Sequence, residues 1–166
     1  CYVSSTSVYH QDDNSWVNED SDTRPTKFSG RAVLDGEREL RRSRYASTCI
    51  RFSGIYGGDR NRLVETARMG RAGLNSVEQV TNRIHESDCV GFVEHLLMRD
   101  IAGERLAPIY LASDSLPVEL NEVITYLASR LGVPVTATAT PSLKRSSGNK
   151  RCDNSRMLES GYCLQY

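Results

Sequence analysis

No apolar run in this chain approaches the roughly 18 residues that a membrane-spanning helix needs, and no secretory-leader pattern opens it. Neither sign of charge is in surplus. Lys and Arg together number 21 and Asp and Glu 21, a formal net charge of zero. Nucleic-acid and membrane-surface partners usually call on a basic excess, so neither is expected. Cys-x-x-Cys is missing as well. The five cysteines (Cys1, Cys49, Cys89, Cys152 and Cys163) are odd in number and widely spaced. That argues against a zinc ribbon or a disulfide framework and for free thiols in a reducing compartment, by default the cytoplasm. The three histidines, His10, His85 and His95, stand apart from one another. No metal site is expected, and a hydrogen-bonded structural role is the first reading of His85.

What is there suits one globular domain: 166 residues, 39% hydrophobic and 25% charged. "YVSSTSVY" (Tyr2 to Tyr9) reads as a strand running into clustered hydroxyls, and Gln11 to Lys27 as a polar surface loop. Apolar positions at helical intervals predict a helix from Phe28 to Arg44, with "ERELRRSR" (Glu37 to Arg44) as its solvated face. "STCIRF" predicts a second strand, "SGIYGGDRNR" a glycine-rich loop, and residues 62–69 a short helix. "NRIH" reads as extended. The next helix places Cys89, Val90, Val93, Leu96 and Leu97 on one face. "APIYLAS" is a third strand. Leu120, Val123, Ile124, Leu127, Ala128 and Leu131 form the clearest helical stripe, with Asp114, Ser115 and Pro117 before it and Gly132 as its stop. A linker then leads to a short helix over 154–160. Strands alternating with helices indicate an α/β fold with a parallel sheet.

Familiar local motifs fail one by one. Gly54, Gly57 and Gly58 lack the further glycine of a dinucleotide fingerprint, since Arg60 stands there, and they lie in the wrong part of an α/β unit. No Gly-x-x-x-x-Gly-Lys-Ser/Thr occurs. "HESDC" opens like a zinc-protease helix but ends in Cys89 where histidine is required.

The order of the segments is more specific than any one of them. "SSTSVY", "PTKFSGRAVLDGE", "IRFSGIYGGDR", "NRIHESD", "IYLASDSLP" and "NKRCDNSRMLESGY" together resemble the C-terminal half of the extended short-chain dehydrogenase/reductases, the NAD-dependent epimerase/dehydratase family, and within it the atypical branch. The resemblance runs from about Tyr2 to Tyr162. It implies the C-terminal half of a Rossmann-like parallel sheet with a small substrate lobe. The N-terminal cofactor-binding half, with its phosphate loop, would then precede residue 1. The isolated chain is accordingly expected to be marginal in solution and not to bind NAD(P), and its oligomeric state is left open.

The resemblance also assigns residues. Ser5 falls where the family keeps its catalytic Ser or Thr, which hydrogen-bonds the substrate oxygen beside the hydride-transferring carbon. Ser4, Phe52, Ser53 and Gly54 match positions flanking the nicotinamide of NAD or NADP. Thr6, Arg60 and Arg83 match the substrate side. Thr6 and Ser7 stand where sugar-nucleotide dehydratases carry acids, so water elimination is not expected. The family's Tyr-x-x-x-Lys pair, in which an ammonium lowers a phenol's pKa across one helical turn, is replaced by Ser29 and Val33. No tyrosine in the chain has a lysine four residues on. Tyr9, Tyr56, Lys27 and His85 remain as substitute bases, with Tyr56 placed in the loop beside the cofactor. The family's phosphate arginine would stand at Thr81, so Arg83 is displaced by two. Asp88 reads as a helix cap. The expected function is an NAD(P)-dependent epimerase or oxidoreductase acting on a hydroxyl or carbonyl carbon of a small substrate, sugar nucleotides among the candidates. The alternative is an NAD(P)-binding sensor that lost hydride chemistry with its Tyr–Lys pair.

Overall fold

The computed structural model describes residues 1–68, 79–135 and 148–166. In chain order its elements are β1 (Tyr2–Ser5), a 3-10 turn (Thr6–Val8), β2 (Trp16–Val17), α1 (Phe28–Arg42), β3 (Cys49–Phe52), β4 (Gly54–Tyr56), α2 (Arg62–Arg68), β5 (Val80–Thr81), β6 (Arg83–His85), α3 (Glu86–Ile101), β7 (Ile109–Ala112), β8 (Val118–Glu119), α4 (Leu120–Leu131), β9 (Arg151–Cys152) and α5 (Ser155–Glu159). The fold is α/β. β1, β3 and β7 form a parallel sheet in that order, with Ser5, Phe52 and Ala112 in one row. β4 pairs in parallel with β6, β2 with β9, and β5 antiparallel with β8. The linker expected before residue 149 lies mostly outside the described residues.

Alternation along β3 and β7 divides the core. Ile50, Phe52, Tyr110 and Ala112 face Cys89, Phe92 and Leu96 of α3, together with Met157 and Tyr162. Leu111 faces the opposite way, into a cluster with Val8, Tyr9, Val17, Leu34 and Cys152. Both faces of these strands are covered, which is why they read as unbroken apolar runs. The exception on the second face is Arg51, 2% exposed, which forms a two-pronged ion pair with fully buried Glu37 of α1: Nε to Oε1 at 2.9 Å and Nη2 to Oε2 at 2.8 Å. Its Nη1 donates to the Tyr9 hydroxyl at 2.9 Å and to the Glu19 carbonyl at 3.3 Å. Ser4 of β1 donates its hydroxyl to the same carboxylate.

The two edges of the sheet differ. On β7 the amide of Leu111 donates to Glu19 Oε1 at 2.7 Å, and the carbonyl of Ile109 accepts from Arg156 Nη1 at 3.3 Å. Arg156 also approaches Glu19 at 3.7 Å and Asp20 at 2.9 Å. Two side chains thus occupy the place of a neighbouring strand. Among the described strands β1 has no partner beyond β3, and its Val3 is 62% exposed.

Several expectations need correction. The segment from Gln11 to Lys27 is more than a surface loop: it supplies β2 and buries Val17 and Glu19. Glu37 is not solvated, because Arg51 draws it inward; α1 ends at Arg42, with Arg41 and Arg42 exposed. The core face of α3 is turned from the expected one. Cys89, Phe92 and Leu96 are buried, while Val90 is 68% exposed and Leu97, Met98 and Ile101 lie on the same outer side. The loop after β3 begins with β4, paired to β6. α4 starts at Leu120, later than its capping signals suggested, because Val118 and Glu119 join β8; Gly132 closes it in the left-handed conformation expected of such a stop.

Burial pushes the Glu37 carboxyl up, but the bonds from Arg51 and Ser4 outweigh it and hold it below the ordinary glutamate value. A depressed folded-state pKa contributes stability that is present above the unfolded pKa and is lost as pH falls through the folded one. Urea unfolding is therefore expected to show stability declining below about pH 4. Glu37→Ala is expected to lose ~3–5 kcal/mol at neutral pH, because it strands a buried guanidinium, whereas the double change Glu37→Leu with Arg51→Met should lose much less. Equal losses in the two variants would contradict this account.

Candidate functional site

The carboxyl ends of β1, β3 and β7 lie side by side, the edge where open α/β sheets receive ligands. At the end of β1, Ser5 takes an extended backbone and caps the 3-10 turn, its Oγ accepting from Ser7 N at 3.1 Å. A hydroxyl that accepts still has its own proton to give. Thr6, the first residue of the turn, is half-buried beside it. Ser4, next to both, points the other way into the Glu37–Arg51 pair and is buried. Phe52 and Ser53 are buried at the end of β3, and the Ser53 hydroxyl has no hydrogen-bond partner. Gly54 is exposed.

Gly54 opens onto a cavity of about 560 Å³ between the loop running into α2 and the face of α4. Arg60, Arg62, Arg83 and Tyr56 give it polar character, while Leu63 and Val123 on facing helices are among its apolar walls. Such a cleft suits a ligand with an anionic group and a flat or apolar body. Arg83 is the best held of the three guanidiniums. Its Nη1 donates to Thr81 Oγ1 at 2.5 Å, and its Nη2 lies 3.8 Å from Asp114 Oδ2. The displacement by two thereby brings the guanidinium back to Thr81. Arg60 is exposed at the rim.

Tyr56 meets the edge of the His85 ring with centroids 5.1 Å apart, and His85 stacks on Tyr166 at 3.8 Å. His85 Nδ1 also accepts from Ser87 N at 3.2 Å, so it is His85 that caps α3. Asp88, expected as the cap, instead accepts the Tyr162 hydroxyl at 3.1 Å and the amides of Gln165 and Tyr166 at 2.8 and 3.2 Å. Gly57 sits against the ring with φ +116°, where a Cβ would meet His85 Nε2 at 2.7 Å.

The substitute bases fare unequally. Tyr9 is buried and its hydroxyl accepts from Arg51; burial drives its pKa well above the tyrosine range despite that cation. Burial, and then Asp114, also raise Tyr56. A raised phenol makes a hydrogen-bond donor, not a base at neutral pH. Lys27 is exposed at the start of α1. Ser29 is exposed, and Val33 packs against the core beneath α1. Among the described residues no group of three or more His, Cys, Asp or Glu is arranged to hold a metal ion, and no helix is long and apolar enough to cross a membrane.

From the sequence, Asp114 reads only as a helix signal, and "NKRCDNSRMLESGY" carries no evident chemistry. That stretch forms a strap. Asn149 Oδ1 accepts from Val80 N at 2.8 Å. Asn82 bonds the backbone of Lys150 and Cys152, both at 2.8 Å, and Asn154 Nδ2 donates to Ser113 O at 2.8 Å. Asn149 and Asn154 of the stretch, with Asn82 ahead of β6, were the available signal, since this residue type satisfies backbone donors and acceptors together.

No protein-family model matches the chain, and no curated protein does either. Solved structures do. A Methylobacillus flagellatus protein provisionally described as an NAD-dependent epimerase/dehydratase is 36% identical over 99% of this chain and 57% of its own, with a TM-score of 0.84. A functionally unknown conserved protein from Silicibacter pomeroyi DSS is 29% identical over 99% of this chain and 61% of its own, TM-score 0.75. MoeE5, solved in complex with UDP-glucuronic acid and NAD, is 23% identical over 99% and 58%, TM-score 0.74, a likeness of fold. The chain spans less than two-thirds of the length of each.

Gly57→Ala is expected to cost roughly 1–3 kcal/mol, since it forces a side chain into the left-handed region and onto the His85 ring. Unchanged thermal stability would show that the loop yields.

Proposed function

Since the chain has the fold of the NAD-dependent epimerase/dehydratase family, we propose that it forms the substrate-side part of a nicotinamide-dependent epimerase or oxidoreductase. The reaction centre is a hydroxyl or carbonyl carbon of a small anionic substrate, sugar nucleotides among the candidates. An N-terminal cofactor-binding half completes the domain. The open edge of β1 and the exposed Val3 beside it support that completion. Five free thiols suit the cytoplasm.

One observation carries the reading. Ser5, with a proton to give, sits in register with Phe52, two residues before the Gly54 that opens the cleft held by Arg83. A nicotinamide cofactor, NAD or NADP, supplies the hydride exchange when bound. The unpartnered Ser53 hydroxyl fits a polar group of such a cofactor beside Phe52 and Gly54. Ser5 donates to the substrate oxygen, Tyr56 is a second donor, Thr6 borders the substrate, and Arg83 and Arg60 hold the anionic group in fork geometry. The exposed Ser29 and packed Val33 favour one second reading, a nicotinamide-binding sensor without turnover.

The test is titration of the full-length protein with NAD⁺ and NADP⁺, together with hydride-transfer assays on sugar nucleotides and small carbonyls. Ser5→Ala is expected to lower kcat by roughly 100-fold or more with the fold intact by circular dichroism. Arg83→Ala is expected chiefly to raise KM, by about 10-fold or more. Cofactor binding without turnover on any substrate would select the sensor, and no cofactor binding by the full-length protein would refute both readings.

A further inference from the structure

The guanidinium that anchors the cleft already has an anion beside it. Arg83 borders the cavity and Asp114 does not, yet Asp114 Oδ2 lies 3.8 Å from Arg83 Nη2. The two side chains are equally buried, each 18% exposed. Their backbones are tied as well: Asp114 N donates to Arg83 O at 2.6 Å, and Ser113 Oγ to the same carbonyl at 3.3 Å. Asn154 of the strap holds this turn through Ser113 O at 2.8 Å and Ser115 Oγ at 3.1 Å. These bonds fix the Asp114 backbone beside Arg83.

Asp114 is nevertheless poorly satisfied. Its Oδ1 is buried with no hydrogen-bond partner, an arrangement that ordinarily costs free energy and calls for an explanation. A purely structural anchor for Arg83 would be expected to use both oxygens in a close fork. Here the contact is single and long, and the firm hold on Arg83 comes instead from Thr81 at 2.5 Å. Burial raises the Asp114 carboxyl above its ordinary value, against the pull of Arg83 and of the Leu116 amide. The carboxylate thus offsets the charge of Arg83 without being needed to orient it.

We propose that Asp114 is a specificity-determining residue: an internal competitor for the anion that Arg83 receives, which sets how strongly charged a ligand group the cleft retains. The proposal rests on the reading of Arg83 as the substrate's anion anchor. A ligand anion reaches the guanidinium from the cavity, while Asp114 touches it from within the protein. Weakly charged groups gain little from a guanidinium already half neutralised. A phosphate-type group gains enough to remain, and leaves more readily than it would from an unopposed arginine. Glu122, exposed on the α4 wall of the same cleft, is screened by water and opposes anions less.

Calorimetric titration of the full-length protein with inorganic pyrophosphate at constant ionic strength tests this. Asp114→Asn is expected to tighten binding roughly 3- to 30-fold, the range that removing one nearby unit charge spans between protein-like and water-like screening. Asp114→Ser, also neutral, should do the same if the asparagine variant proves unstable. Glu122→Gln should change affinity less, and Arg83→Ala should weaken it. Unchanged or weaker binding in both Asp114 variants, with Arg83→Ala still weakening, would overturn the competitor role and leave the anion anchor standing. A larger gain from Glu122→Gln would also overturn it. No effect of Arg83→Ala would refute the anchor and the competitor together.

Discussion

A charged side chain in the middle of a sheet must be matched or the sheet does not form. Arg51 occupies that position on the central strand β3, and Glu37, Tyr9 and the Glu19 carbonyl all answer it. Ser4 completes the carboxylate's shell from β1. Through one guanidinium the first strand, the turn after it, α1 and the loop around β2 are fixed relative to β3. An unpaired ion of this kind costs several kcal/mol, so these segments assemble together or not at all. The same loop then delivers Glu19 to the edge of β7.

The cleft inherits its geometry from that arrangement at second hand. β4 continues from the central strand β3 and pairs with β6, an extension that carries Tyr56 and Arg83. The strap of residues 149–154 runs alongside, tied to Val80 and Ser113 main chain by Asn149 and Asn154 and held at Lys150 by Asn82, the residue before β6. Tyr56 and Arg83 therefore reach the cavity from paired strands, whereas Arg60 and Arg62 come from the loop and the first residue of α2. A few fixed polar groups against an apolar lining are what a site selective for one charged end of a ligand requires.

The three strands of the central sheet and four of the helices to within a few residues were legible in the sequence, because apolar alternation and helical spacing are local signals. What was not legible depended on partners far along the chain. Nothing within Gln11 to Lys27 says that Trp16 and Val17 pair with Arg151 and Cys152. Glu37 looked solvated because its neighbours are arginines, and only Arg51, fourteen residues on, turns it inward. The outer side of α3 misled for another reason: Val90 and Leu97 are apolar but exposed, so composition alone rotated the helix. For the site, Ser5, Gly54, Tyr56 and Arg83 were named from motif order. Asp114 was missed because an aspartate after a strand also serves as an ordinary helix-start signal.

The unequal edges of the central sheet set the side on which it can be extended. On β7 the Glu19 carboxylate takes the Leu111 amide and Arg156 donates to the Ile109 carbonyl, so a further strand finds no place there. Among the described strands β1 keeps its outer side unpaired in this sheet. Growth of the sheet therefore has a polarity: it can be extended beyond β1 and not beyond β7, and two side chains set that direction.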